Sequence, residues 1–111
     1  MALYRDGLKH PTAIWEAAMM HYTVQVICTA RGCNHVAVFD PHGLWQHFTV
    51  RDWDQAFRLA QGRFWCRPCS EQARQKVKRA VLQPSRNKVT DNRFPMPNER
   101  DWKRFVARHR G

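Results

Sequence analysis

Four cysteines are present, and they come as two pairs: Cys28 and Cys33 in CTARGC, Cys66 and Cys69 in CRPC. Each pair follows a short β-like run and closes a tight turn, and the second opens directly onto a helix-like stretch. Two chemistries use thiols spaced in this way. One is a structural metal site, where four thiolates surround a Zn2+ ion at about 2.3 Å and each turn delivers two of them. The other is thiol–disulfide exchange, which needs a low-pKa thiolate at a helix start and a second thiol to resolve the mixed disulfide.

The exchange reading has a specific carrier. Trp65-Cys66-Arg67-Pro68-Cys69 looks like the WCxPC active site of thioredoxins, which would make Cys66 the nucleophile and Cys69 the resolving thiol of a thiol–disulfide oxidoreductase. Yet a thioredoxin-like fold requires further strands and a helix after the motif, and the downstream sequence has no strand pattern. That reading also leaves Cys28 and Cys33 without a role. Zinc held by Cys28, Cys33, Cys66 and Cys69 accounts for all four, with residues 34–65 between the pairs. His35, two positions past Cys33, is a substitute ligand on paper; the ordinary reading is a strand residue or a donor behind the ligands. His42 and His47 read as surface groups of a short helix. No Ser/His/Asp constellation, phosphate-cradling glycine loop or paired carboxylate site is recognisable, so no catalytic residue is assigned and a non-enzymatic protein is expected.

The charge is segregated. The chain has 111 residues and a formal net charge of +10. Residues 1–60 are balanced, while residues 61–111 carry fourteen Lys/Arg against four Asp/Glu. A one-sided positive field points to an anionic partner, most simply DNA or RNA. Arg63 and Arg67 flank the second cysteine pair, Arg74, Lys78 and Arg79 follow it, and Arg100, Arg104 and Arg108 form a ridge at helical spacing; these are the expected phosphate contacts. The competing reading is an adaptor or inhibitor, of the phage or mobile-element accessory type, that binds a protein or nucleoprotein machine through Trp102, Phe105 and Val106 on the last helix. No apolar run is long enough to span a bilayer, and the first twenty residues lack the pattern of an export signal, so a cytoplasmic protein without membrane contact is expected.

The elements that must position these groups follow from periodicity and caps. Thr12 is expected to cap a helix over AIWEAAMMH after a short lead. Tyr22–Cys28 and His35–Phe39 read as the strands of a hairpin with the first cysteine pair at its tip. Asp40-Pro41 starts a helix that stacks Leu44 on Phe48. A further helix is expected from Asp52, with Gln55 in a capping pair, Trp53, Phe57 and Ala60 as its apolar stripe and Gly62 as its stop. Arg63–Cys66 reads as a short strand. Ser70 begins a basic helix over SEQARQKVKRAVLQ that Pro84 ends, and Asn98 caps a last helix, ERDWKRFVARH. The expected whole is an α+β fold: a zinc-stapled module of zinc-ribbon or treble-clef type over residues 1–82, a linker over 83–97 and a basic amphipathic helix over 98–111.

The pattern V-I-C-x4-C-x-H-x3-F-D-P…R-F-W-C-x2-C, covering residues 24–69, resembles small bacterial zinc-ribbon-type proteins in which two cysteine knuckles flank a short helical insert. The resemblance implies a zinc site at Cys28, Cys33, Cys66 and Cys69 and supplies no activity. The chain departs from that pattern in its first spacing, C-x4-C instead of the commoner C-x2-C, and in Ser70 where glycine is usual.

Overall fold

The structure, a computed structural model, describes residues 3–5 and 8–109. It is an α+β arrangement whose centre is a three-stranded antiparallel sheet, β3 (Thr23–Cys28), β4 (Val36–Phe39) and β5 (Ala80–Ser85), in the order β4-β3-β5. The hairpin read from sequence is β3 and β4, paired from Val24 opposite Phe39 to Ile27 opposite Val36. Because side chains alternate along a strand, Val24, Val26 and Cys28 share one face. Val24 is fully buried there, opposite Phe39 of β4, and Leu82 of β5, opposite Val26, belongs to the same core. Two-residue periodicity thus carries Cys28 to the interior. Ahead of the sheet, β1 (Leu3–Arg5) and β2 (Leu8–His10) form a small antiparallel ribbon in the stretch expected as plain lead.

Helices cover the buried face. α1 (Ile14–Met19) packs on α2 (Pro41–Val50), and Ile14, Leu44 and Phe48 are the largest side chains wholly withdrawn from solvent besides Val24. Asp40 caps α2 as its sequence promised, accepting a hydrogen bond from the His42 N–H at 2.8 Å, with Pro41 in the first turn. Thr12 does not cap α1. Ala13 occupies that position, and Thr12 instead donates its N–H (3.2 Å) and hydroxyl (3.1 Å) to the buried Glu16 carboxylate. The Thr12 carbonyl is engaged elsewhere, accepting from the Phe57 N–H at 2.9 Å, so the start of α1 is tied to the start of α3 (Phe57–Ala60).

The stretch after α2 is shorter in helix than its pattern suggested. Only Phe57–Ala60 are α-helical, followed by a 3-10 turn over Gln61–Arg63 that contains Gly62. Gln55 donates to the Thr49 hydroxyl instead of capping, and residues 64–66 reach the second cysteine pair without joining a sheet.

The largest correction concerns residues 70–83. Helix α4 spans Arg67–Ala73 only, and the expected continuation is a loop followed by β5, which pairs along β3 from Thr23 opposite Ser85 to Cys28 opposite Ala80. Arg74 ends α4 in the left-handed region, φ +56°. Ser70 then holds the reversal: its hydroxyl accepts the Val77 N–H at 2.8 Å, and the Val77 carbonyl accepts the Cys66 N–H at 3.1 Å. Pro84 lies inside β5, where it is tolerated because β5 is an edge strand.

Of the linker expected over 83–97, the first three residues belong to β5 and the rest run against the sheet. The N–H groups of Thr90 and Asp91 both donate to the Val38 carbonyl, and the Val38 N–H donates to the Thr90 hydroxyl. Phe94 packs on Phe39, and its carbonyl lies so close to Gly43 that a Cβ there would meet it at 2.7 Å. Asn98 caps α5 (Glu99–His109) by accepting the Arg100 N–H, and Trp102 and Phe105 pack on Trp45 with ring centroids 5.0 and 5.1 Å away. Positions 110 and 111 of the expected terminal helix lie outside the described residues.

The two descriptions of residues 70–83 make opposite forecasts for one substitution. A left-handed Arg74 costs roughly 1 kcal/mol that glycine avoids. Arg74→Gly should therefore stabilise the protein by about 1 kcal/mol in denaturant unfolding; a helix continuing through this position would instead lose about that much.

Candidate metal centre

The two cysteine pairs meet. The four sulfurs lie within 4.8 Å of one another, although the pairs are far apart in sequence. Each comes from a different local device. Cys28 ends β3, and its N–H donates to the His35 carbonyl at 3.0 Å, so the intervening residues close a loop at the hairpin tip. Within that loop the Cys33 N–H donates back to the Ala30 carbonyl, and Gly32 supplies the left-handed turn at φ +79°. Cys66 is the residue before α4, and Cys69 follows within its first turn.

Two further bonds clamp these devices together. The Thr29 N–H and hydroxyl both donate to the Arg79 carbonyl, at 2.8 and 2.7 Å. That contact joins the residue after Cys28 to the loop that folds back from α4.

The spacing fits one ion. Cys28 Sγ lies 3.8 Å from Cys69 Sγ, and Cys33 Sγ lies 3.7 Å from Cys66 Sγ. A regular tetrahedron with metal–sulfur bonds of about 2.3 Å has edges of roughly 3.8 Å. All four cysteines are free. These two short contacts each join one pair to the other, so the two knuckles share a single cluster.

The sulfurs also shift one another's ionisation. The His35 N–H holds the Cys33 thiol below its ordinary value. Burial pushes the Cys66 thiol up, and Cys69 is pushed up to about 12, chiefly by the Cys33 sulfur beside it. Sulfurs packed this tightly compete to stay neutral unless a cation satisfies them. Four thiolates, two of them buried, suit a borderline-soft divalent ion with no need of an open position: the arrangement of a structural site.

His35 is exposed and lies outside the four-sulfur cluster; its backbone, through the carbonyl and N–H just described, is what serves the site. His47 faces Phe94, Trp53 and Phe48, and burial lowers its pKa. The expected phosphate contacts separate into groups. Arg63 and Arg67 lie beside the second knuckle as the sequence required. Arg74, Lys78 and Arg79 do not share a helix: Arg74 ends α4, and the other two belong to the loop before β5. Arg100, Arg104 and Arg108 stand exposed on α5 as a ridge.

Sequence reasoning missed Arg93. It is paired with Asp91 at 2.7 Å and brought beside Arg67 and Arg63 at one cleft by the segment read as linker. The Arg93 guanidinium holds the Asp91 carboxyl below the usual carboxylate range. Its position in a proline-rich stretch without periodicity gave no signal. No helix among the described residues is long and apolar enough to cross a membrane. The chain matches no protein-family model, no curated protein and no solved structure.

Metal binding must displace protons from thiols that are neutral at pH 7, Cys66 and Cys69 among them, so affinity must rise with pH. Competition titrations with a chromophoric chelator should show apparent zinc affinity increasing by at least about a hundredfold per pH unit between pH 6 and 7.5, since the Cys66 and Cys69 protons at the least must leave. Cys66→Ser should weaken binding at every pH.

Proposed function

We propose that this protein is a non-enzymatic, zinc-stapled nucleic-acid-binding module. The observation that carries the reading is the state of its cations. Among the described residues, Arg93 and Lys103 are the only Lys/Arg side chains ion-paired to a carboxylate, leaving most of the basic C-terminal half exposed and unneutralised. An uncompensated positive surface on a module this small is suited to a polyanion, whose bound counterions are released on contact.

The metal's part is structural. Cys28, Cys33, Cys66 and Cys69 would hold the ion, and it would supply a fixed junction between the β3–β4 tip and the start of α4. Arg67, between Cys66 and Cys69, and Arg63 then project from a frame that does not depend on a large core. One cysteine pair at a hairpin tip and the other at a helix start favours a treble-clef description over a zinc ribbon.

Two other readings have less behind them. An adaptor role needs Trp102 and Phe105 free to dock on a partner, and both pack on this chain's own Trp45. A thioredoxin-like role asks for a depressed Cys66 pKa, and burial moves it the other way.

The test is salt dependence. Binding to DNA or RNA, followed by fluorescence anisotropy, should weaken steeply with salt. Lys78→Gln, Arg79→Gln and Arg104→Gln together should lower affinity alike for all sequences and reduce the slope of log K against log salt by about 2–3. Affinity unchanged by that triple substitution would refute phosphate contact through these residues.

A further inference from the structure

We infer that the cleft beside the metal centre holds one unpaired nucleotide, its base against the aromatic wall of Trp65 and Phe64 and its phosphate among Arg63, Arg67 and Arg93. This rests on the nucleic-acid reading and narrows it from polyanions in general to an unstacked base with its phosphate, supplied by a single strand or a free nucleotide.

The cleft has a volume of about 220 Å3 and lies between the Cys66 approach, the end of α2 and the segment carrying Arg93 and Phe94. That is below the ~300–1,000 Å3 of pockets that take drug-sized ligands, and leaves room for one ring system. Besides the imidazoles of His35 and His47, its lining has two chemistries. Trp53, Phe64, Trp65 and Phe94 provide planar apolar surface, and the three arginines provide donors in fixed forks suited to phosphate. Among the described residues, no Asp or Glu lines it. The nearby carboxylate, Asp91, is bonded to Arg93, with Arg67 adding to the field that holds it ionised, and among the described residues no carboxylate forms an ion pair with Arg63 or Arg67.

Individual side chains are placed for stacking. Trp65 is 42% exposed, in contrast to the deeply buried Trp45, and Lys76 stands 5.6 Å from its ring centroid. The Arg63 guanidinium lies over the Trp53 ring at 4.2 Å, which fixes a cation at the rim without neutralising it. A second, smaller cavity of about 70 Å3 shares Phe64, Trp65 and Arg93 and reaches Cys28 and Cys66. The recess therefore backs onto the metal ligands, and Trp65 and Arg67 are the chain neighbours of Cys66 on either side. The ion would set both the stacking ring and the phosphate fork.

A duplex cannot use such a recess, because its bases are paired and stacked on each other. An unpaired base offers its face to an aromatic side chain while its phosphate remains outside, which is how single strands are held without sequence readout. Guanidinium groups at the mouth complete that pattern.

The experiment titrates the full zinc-loaded chain at one salt concentration, by anisotropy, against a labelled twelve-nucleotide single strand and the duplex of the same sequence. A mixture of nucleoside monophosphates serves as competitor. The single strand should bind about tenfold tighter than the duplex. Trp65→Ala should abolish that difference while duplex affinity stays as in the parent, Trp65→Phe should keep most of it, and Arg67→Gln should weaken the single strand. Metal content verifies each variant, and if Trp65→Ala fails to load zinc, the Phe and Gln variants decide.

Monophosphates binding as tightly as the strand, with the same sensitivity to position 65, would assign the cleft to a free nucleotide and support it equally. Equal affinity for strand and duplex with no effect at positions 65 and 67 would overturn the cleft and leave general nucleic-acid binding standing. Absence of binding to either polymer and to the monophosphates would overturn both; monophosphate binding alone would overturn only the nucleic-acid reading.

Discussion

Four sulfurs within 4.8 Å of one another are the constraint on which the remainder of this structure depends. Brought together without a cation they repel as thiolates and resist ionising as thiols, which the Cys69 value near 12 expresses. Supplied with one ion, the same contacts become four bonds. What they join is considerable: the tip of the β3–β4 hairpin on one side, and on the other the approach to α4 and the loop leading into β5. Few large side chains are wholly buried, so a junction of this kind stabilises what the core alone holds weakly.

The junction also explains why β5 forms. The loop after α4 is fastened at Val77 to Ser70 and Cys66, and at Arg79 to Thr29 beside Cys28. Once both ends of that loop are fixed next to the cysteines, the next residues emerge alongside the open edge of β3, and the ladder from Cys28–Ala80 to Thr23–Ser85 follows. The helix-forming run Ala73–Leu82 loses to a non-local pairing, a case of tertiary context overriding propensity. The consequence for function is that the basic side chains of this stretch are spread over a helix end and a loop beside the metal centre, in place of one helical face.

Much of the site was legible in the sequence because its signals are local and have few alternatives. The cysteine spacings, the β-branched run before Cys28 and the Asp40-Pro41 helix start all appear where they were read. The helix stops were not legible, for a physical reason. α1, α2 and α4 each end with a non-glycine residue in the left-handed region, His21, Asp52 and Arg74. Each is followed by an amide bonded five residues back: Tyr22 to Ala17, Trp53 to Phe48, Gln75 to Ser70. That is the Schellman closure without the glycine that usually announces it, while Gly62 sits inside a 3-10 turn. Thr12 misled similarly: its polar groups found Glu16, and a backbone clamp to α3 took the place of a side-chain cap. The cleft depends on Arg93 and Phe94, whose positions are set by β-type contacts of Thr90 and Asp91 with Val38, at a separation no local pattern reports.

The shared ion is tested most directly by X-ray absorption at the zinc edge on protein isolated without added metal. The expected spectrum shows one zinc per chain surrounded by four sulfur scatterers at about 2.3 Å. Zinc surrounded by nitrogen and oxygen, or folded protein carrying no metal at all, would contradict it.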